Sequence, residues 1–360
     1  MIYPYKYLLK HNILKLHEYV EYFFDEMYKR KSNRFSQVVI HKDFLPLTKR
    51  KEDLLLTPMK SIYREYKKLD DATQKEILDA FKTNNSIAEL CNGKKEPWKY
   101  ENLEKKSKSL SDEVKVLFSN LYTKIVSKRV FESQNDHFKQ FRTLNETVKV
   151  CPFCGLEPLL SRYDASDGKK DDYDHWLSKG KYPFNSVNFK NLVPMCGRCN
   201  QKYKTQKDTI FEKNDATKKW DRRLVFYPYG KKVKPDTIEA TIEKTDGKSS
   251  LKDDDSWTVK IEGPAAYAKE VKSWSQIFGI ESRYKNRIRD KYELVWFEQL
   301  KNLYKRKKTE AGFTFSKFKE DVYFGIRPFH LQEGSIVEKT YYDFLFSDPN
   351  FQTNLEAVIG

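Results

Sequence analysis

Two Cys-x-x-Cys pairs constrain the fold of this chain more than any other feature of its sequence. The first pair is Cys151 and Cys154, and the second is Cys196 and Cys199. Four thiolates are the number and type of ligand that complete a tetrahedral zinc shell and leave no coordination position open. A glycine follows the second cysteine of the first pair and the first cysteine of the second pair, and glycine permits the tight turn that brings both sulfurs to one metal. The sequence therefore predicts one structural Zn²⁺; the alternative is four unrelated thiols in a reducing cytosol.

A second group of polar residues lies inside and directly after this cysteine frame. Asp174 and His175 form a dipeptide, Asn191 precedes the second pair, and Asn200 follows the last cysteine. Taken singly, each has an ordinary explanation, since a histidine can lie on the surface and asparagine is common at turns. Their joint occurrence inside a four-cysteine frame favours a functional site.

The order of these residues resembles that of the HNH, or ββα-metal, endonucleases. In that family a two-stranded ribbon carries the Asp-His pair, the following loop and strand carry the middle Asn, and a short helix carries a final His or Asn. The match covers roughly residues 150–207. Two departures stand out: the final residue is Asn200 and not His, and Ser178 stands where some relatives have Pro. The second departure affects the expected loop geometry more than the chemistry.

The resemblance implies a role for each of these positions. His175 would be the general base that takes a proton from the attacking water. Asp174 and Asn200 would bind a catalytic Mg²⁺ or Mn²⁺, and Asn191 would hydrogen-bond the loop between the strands and so fix the imidazole. Lys204, one helical turn after Asn200, would meet the scissile or an adjacent phosphate. The implied reaction is hydrolysis of a phosphodiester bond.

Composition and charge favour a globular protein with a polyanionic partner. The chain has 360 residues, of which 39% are apolar and 15% aromatic, enough for two or three domains with buried cores. No apolar run reaches about 18 residues and the start has no uninterrupted apolar stretch, so we expect a cytoplasmic protein without a membrane span. The net charge of +16 favours nucleic acid, most simply double-stranded DNA. An anionic membrane surface is the alternative, but no lipidation motif or long basic amphipathic segment supports it.

Hydrophobic patterning of the flanks, together with the module implied by the resemblance, predicts an α+β chain in three parts. These are a helical domain over residues 1–145, the zinc-bound HNH module over 146–212, and a basic mixed α/β domain over 213–360. In the first part, apolar residues spaced by three and four predict a helix over 7–31, and residues 38–47 read as an extended segment interrupted by Pro46. Asp70 or Asp71 is expected to cap a helix that runs to about Lys82.

Strands and a long basic helix are predicted for the third part. Residues 224–229, 238–243 and 257–262 read as strands of one small antiparallel sheet. A helix is predicted over 282–308, and its basic face is either a track for a duplex backbone or a merely solvated surface. That face comprises Arg283, Lys285, Arg287, Arg289, Lys291, Lys301, Lys305, Arg306, Lys307 and Lys308.

Several functions remain compatible with the sequence. The first is a metal-dependent HNH endonuclease acting on DNA. The large domains on either side of the HNH module suggest either a phage-defence effector, similar to the HNH component of Septu-type systems and with a partner protein, or a restriction nuclease. The sequence does not choose between these two, because both need the same hydrolytic core. An RNA-cleaving HNH nuclease is an alternative, since the core acts on a phosphodiester and not on a base. Another is a zinc-stabilised nucleic-acid-binding protein with an inactive HNH core, against which the intact Asp174, His175 and Asn200 argue.

Overall fold

The protein has an α+β fold in which helices dominate. The computed structural model describes residues 3–230, 237–244, 251, 256–327 and 332–359. Within these ranges the strands form two-stranded antiparallel sheets, and each strand pairs with the next or the preceding strand of the chain. None of the helices found there is both long and apolar enough to cross a bilayer.

The elements follow one another in three groups along the chain. Before the first cysteine pair lie α1 (Lys15–Lys29), α2 (Leu45–Arg50), α3 (Thr57–Tyr66), α4 (Asp71–Asn85), α5 (Ile87–Cys91), α6 (Tyr100–Lys106), α7 (Lys108–Asn120), a π-helical turn (Leu121–Val126) and α8 (Gln134–Leu144). The central group is α9 (Arg162–Ser166), β1 (Tyr173–His175), β2 (Leu192–Pro194) and a π-helical turn (Cys199–Lys204). The last group is β3 (Phe211–Lys213), β4 (Trp220–Arg222), β5 (Glu239–Lys244), β6 (Trp257–Glu262), α10 (Ala268–Phe278), α11 (Ile280–Lys291), α12 (Glu298–Lys308), α13 (Phe315–Gly325), α14 (Ser335–Phe346) and α15 (Phe351–Ile359).

Helix α1 begins later than its apolar periodicity predicts. The Nδ1 atom of His11 accepts a hydrogen bond of 3.1 Å from the backbone N–H of Ile13, and His11 itself is extended. Residues before it therefore stay outside the helix, and Leu9, which the periodicity would place on the buried face, is exposed. The remainder of the stripe, from Ile13 to Met27, is buried as the pattern predicts.

Helix α2 corrects the expectation of an extended segment over residues 38–47. Pro46 lies in the first turn of this helix, where its missing N–H breaks no helical hydrogen bond. Proline was therefore a helix start here and not an interruption of a strand. Helix α4 begins as its sequence indicates, because the carboxylate of Asp70 accepts a hydrogen bond of 2.8 Å from the N–H of Thr73.

For the third part of the chain, the prediction of a three-stranded sheet is wrong for one of the three strands. Strands β5 and β6 pair as expected, with Ala240 opposite Ile261. Residues 224–229 form no strand, because their backbone bonds to the N-terminal part: Val225 N donates to Cys91 O, and Pro228 O accepts from Tyr5 N. The predicted helix over 282–308 is also divided, into α11 and α12 with a π-helical turn between them.

The strand pair β1 and β2 lies where two hydrophobic cores meet. One core is built mainly from α1, α3, α4 and α7, and it includes Tyr173 and Leu192 of the two strands. The other is built largely from the third part of the chain, and it includes Val193 of β2 and the neighbouring Trp176. The residues predicted to be functional are thus positioned by both ends of the chain.

Candidate functional site

The four predicted thiols come together in one buried cluster. The Sγ atoms of Cys151 and Cys199 are 3.9 Å apart, those of Cys154 and Cys196 are 4.0 Å apart, and all four lie within 4.8 Å of one another. Zinc–sulfur bonds of about 2.3 Å in a tetrahedron separate the sulfurs by ~3.8 Å, so the cluster can hold a metal ion such as zinc. In the part of the chain that the structure describes, no other three His, Cys, Asp or Glu side chains come close enough to share an ion.

The two glycines of the cysteine pairs differ in what the backbone requires. Gly155 has a φ of 67°, in the left-handed region, and its N–H donates to Cys151 O at 2.7 Å. Gly197 does not adopt positive φ, and a Cβ added there would meet no atom within 4 Å. The tight turn therefore uses the conformational freedom of glycine at Gly155, whereas the backbone at Gly197 does not require it.

Residues of α10 and α11 form hydrogen bonds with both cysteine pairs. Trp274 Nε1 donates to Phe153 O at 2.9 Å, and Tyr284 Oη donates to Cys154 O at 3.0 Å. Arg283 is buried, and its guanidinium donates to Cys199 Sγ at 3.3 Å. This corrects the placing of Arg283 on a solvent-facing basic track, because its guanidinium is buried and bonded to a cysteine of the cluster.

Strand β1 and the helical turn after the second cysteine pair bring the predicted site residues close together. Asp174 is opposite Val193 and His175 is opposite Leu192 in the antiparallel pair. Asn200 lies in the π-helical turn, whose last residue, Lys204, hydrogen-bonds the backbone O of His175 at 2.8 Å.

His175 has one ring nitrogen engaged and one available. Nε2 lies 2.8 Å from the carbonyl O of Ser186, so in the neutral ring Nε2 carries the proton and Nδ1 has a free lone pair. Within the described residues Nδ1 has no hydrogen-bond partner. Burial lowers the pKa of His175 to about 3; the bond to Ser186 opposes this shift, and the charges of Lys179 and Lys204 add to it. The imidazole is therefore neutral at pH 7 and able to accept a proton.

Asn191 is fully buried and holds the backbone directly after His175. Its Oδ1 accepts from Leu177 N at 2.7 Å, and its Nδ2 donates to Leu177 O at 3.0 Å. Its backbone O accepts from Trp176 N at 2.7 Å. The tip of β1 and the loop after it are thus tied to the start of β2.

Asp174 and Lys204 form a buried ion pair. Lys204 Nζ lies 2.6 Å from Asp174 Oδ2, and the lysine side chain is 2% exposed. Burial raises the pKa of Asp174, and the ammonium of Lys204 opposes that rise. The charge of Lys204 is directed inward, which differs from the predicted contact with a phosphate. Spacing along a helix cannot show which way a long side chain points.

A polar pocket of about 420 Å³ lies beside His175. Asn200 shares it, together with Tyr122, Arg129, Lys170 and Asp172. Tyr122, Arg129 and Lys170 were not selected from the sequence, because no spacing rule connects them with His175. For Asp172 the sequence leaves two interpretations open, a metal ligand or an acidic residue of a solvated loop. The Tyr122 ring packs against the His175 ring, with centroids 4.4 Å apart and planes at 68°, so the helical part of the chain helps to orient the imidazole.

The oxygen donors of Asp174 and Asn200 suit a hard cation. Mg²⁺ prefers carboxylate, amide and water oxygens, and it usually keeps several of its waters. Oδ2 of Asp174 already contacts Lys204, so Oδ1 is the carboxylate atom left for a cation. The donor set therefore fits Mg²⁺ or Mn²⁺ with few protein ligands.

No protein-family model, curated protein or solved structure matches this chain. The resemblance to HNH endonucleases therefore remains a prediction, which the proposal below develops.

Proposed function

We propose that the protein is a metal-dependent endonuclease that hydrolyses phosphodiester bonds in DNA. The observation that carries the proposal is the arrangement of His175, whose Nε2 is fixed by Ser186 while Nδ1 has no partner in the described residues. The pocket beside it also contains Arg129 and Lys170, whose positive charges suit a phosphate, and Asp172, whose carboxylate lies 3.9 Å from Lys170 Nζ. An imidazole that is held with one ring nitrogen free can take a proton from water beside a phosphodiester, and its low pKa makes it a weak base.

The roles of the side chains follow from this geometry. His175 Nδ1 accepts a proton from water, the water oxygen attacks phosphorus, and the 3′ oxygen of the broken bond leaves. Arg129 and Lys170 stabilise the charge that grows on the phosphoryl oxygens. Tyr122 and Asn191 act as positioning residues, because both hold the imidazole or its strand without reaching the reacting atoms.

Two metal sites with different duties belong to the proposal. The four cysteines hold a structural Zn²⁺, and the closed thiolate set leaves it no position for substrate. Asp174 and Asn200 would hold the catalytic Mg²⁺ or Mn²⁺, which would supply positive charge to the phosphoryl group and the leaving oxygen.

Double-stranded DNA is the proposed substrate because the net charge of +16 favours a polyanion and the resemblance is to DNA-cleaving enzymes. A cytoplasmic role in phage defence or restriction, with a partner protein, extends the same resemblance.

A second function is favoured by one observation. The ammonium of Lys204 already neutralises Asp174, as it would in a zinc-stabilised nucleic-acid-binding protein whose HNH core is inactive. The two functions differ in whether the protein cuts any nucleic acid at all: the nuclease cuts DNA or RNA, and the binding protein cuts neither.

The test is cleavage of supercoiled plasmid, linear duplex, single strands and RNA in Mg²⁺ or Mn²⁺. His175→Ala should bind DNA and zinc as the parent does and lose about 10² to 10⁴ in cleavage rate, the usual contribution of a general base. Asp174→Ala and Asn200→Ala should also lose cleavage but recover in part at high Mg²⁺ or Mn²⁺, whereas His175→Ala should not. Cleavage by His175→Ala at the parent rate would favour the binding protein.

A further inference from the structure

The hairpin of β3 and β4 has two faces of opposite character. Phe211 is opposite Arg222 and Lys213 is opposite Trp220, so these four side chains share one face, because side chains alternate along strands. Glu212 and Asp221 are paired on the other face. The hairpin therefore presents aromatic and basic groups on one side and carboxylates on the other.

Trp220 is exposed to solvent, whereas several other tryptophans of the chain are buried in its core. Its relative exposure is 53%, whereas Trp257 and Trp274 are buried. The Nζ atoms of Lys99 and Lys181 lie 5.0 Å and 5.6 Å from the centre of its ring. Both ammonium groups lie over the ring, and the indole still keeps half of its surface exposed, so positive charge and an open aromatic surface occur together.

The positive charge at this surface exceeds the negative charge. The buried carboxylate of Asp208 lies 3.8 Å from Lys99 Nζ and 3.9 Å from Lys181 Nζ, and it also accepts from Tyr182 Oη at 2.7 Å. Glu96 pairs with Arg222 at 3.3 Å. Glu101 is a third carboxylate near this surface, since its charge acts on Tyr182. Three carboxylates thus stand against four cations, namely Lys99, Lys181, Lys213 and Arg222, so the lysines are held in place and the surface keeps a small positive excess.

One short turn connects this surface with the pocket of His175. Ser178 O accepts hydrogen bonds of 3.0 Å from the N–H groups of Lys181 and Tyr182. Lys179 Nζ lies 4.3 Å from the centre of the Tyr122 ring, which packs against His175. Lys179 and Lys181 are two residues apart, so the distance between their Cα atoms is at most about 7 Å.

We propose that Trp220, Phe211, Lys99 and Lys181, here called the Trp220 platform, bind an unpaired nucleotide of a strand that continues into the His175 pocket. A base inside a duplex has both faces covered by its neighbours, and only the terminal pairs keep an open face. Along a single strand every base can stack on the indole, while the lysines bind its phosphates. The inference deepens the proposed function, on which it rests for the reaction in the pocket, and names the substrate class as DNA with a single-stranded segment.

The test compares binding of a labelled single-stranded oligo(dT) with that of a blunt duplex, by fluorescence anisotropy. His175→Ala serves as the background, so that no substrate is cut. Adding Trp220→Ala should weaken single-strand binding about tenfold or more, the range for loss of one stacked base, and leave duplex binding unchanged. Trp220→Phe should restore most of the affinity, because phenylalanine keeps a stacking face.

Phe324→Ala is the matched control, since Phe324 on α13 is 80% exposed and lies outside the platform. Lys181→Ala gives an independent readout: it should reduce the salt dependence of single-strand binding by about 0.7 in log K against log salt. Equal losses for single strand and duplex, or no loss on Trp220→Ala and Lys181→Ala, would overturn the inference. If the platform binds as expected but the parent protein cuts no DNA or RNA, the proposed nuclease fails and the platform stands.

Discussion

At the scale of single residues, Lys204 is a buried cation whose partners are Asp174 and the backbone of His175. Removing its charge leaves a carboxylate in a largely dry site without a counter-ion. Breaking a buried pair in this way is destabilising because the remaining charge keeps its desolvation penalty.

We expect Lys204→Met to lower the free energy of unfolding by about 3 kcal/mol, measured by urea denaturation. Lys202→Met is the control, because Lys202 lies in the same helical turn and is exposed. Equal stability of the two variants would show that the ion pair contributes little. Lys204→Met combined with Asp174→Asn should recover part of the loss, since no unpaired charge remains.

Residue types and their order predicted much of the candidate site. The four cysteines meet as expected, because thiol pairs at this spacing have few other uses, and Asn191 contacts the loop after His175. The direction of individual side chains and the contacts between distant segments could not be predicted from the sequence. The inward turn of Lys204 and the approach of Tyr122 to His175 both depend on how distant segments pack.

At the scale of elements, the turn after Cys154 depends on a left-handed backbone at Gly155. A side chain at such a φ places Cβ too close to the carbonyl oxygen, which costs about 1 to 2 kcal/mol. Gly155→Ala should therefore lower the unfolding free energy by this amount in a denaturant titration. Gly197→Ala is the matched substitution in the other cysteine pair, and we expect almost no effect from it. Equal losses from both would show that the two turns have the same backbone requirement.

Elements with strong local signals were predicted, and elements decided by tertiary contacts were not. The cap at Asp70 and the pair β5 and β6 are of the first kind, since the residues that form them are near in sequence or alternate regularly. Residues 224–229 are of the second kind. Their alternation resembles that of a strand, but their backbone partners are Cys91 and Tyr5 in the N-terminal part.

At the scale of the whole molecule, stability should depend on buried neutral histidines. Burial lowers the pKa of His137 to about 3 and that of His17 to about 4, against 6.5 for an ordinary histidine. Below pH 6.5 the unfolded chain binds these protons and the folded chain does not, so stability is lost as the pH falls toward the folded pKa values. Asp171 acts in the opposite direction, because burial raises its pKa to about 6.

The contribution of His137 can be isolated by comparing two pH profiles. The ring packs in the core, with Nδ1 2.5 Å from Tyr173 Oη. We expect His137→Phe to lose some stability at neutral pH but to have a flatter profile, gaining about 2 to 3 kcal/mol relative to the parent between pH 6.5 and 4.5. The measurement is chemical denaturation at each pH. Parallel profiles would mean that His137 is not kept neutral by folding.

The hydrogen bonds that later segments make to the loop of the first cysteine pair affect the order in which the protein folds during synthesis. Phe153, Cys154 and Gly155 give their carbonyl oxygens to Trp274, Tyr284 and Gly334. When the ribosome has completed the second cysteine pair, these donors have not yet been made. The loop of the first cysteine pair therefore gains these three hydrogen bonds only after α10, α11 and the start of α14 have emerged. A nascent chain that already contains all four cysteines thus still lacks the contacts that hold the first pair in place.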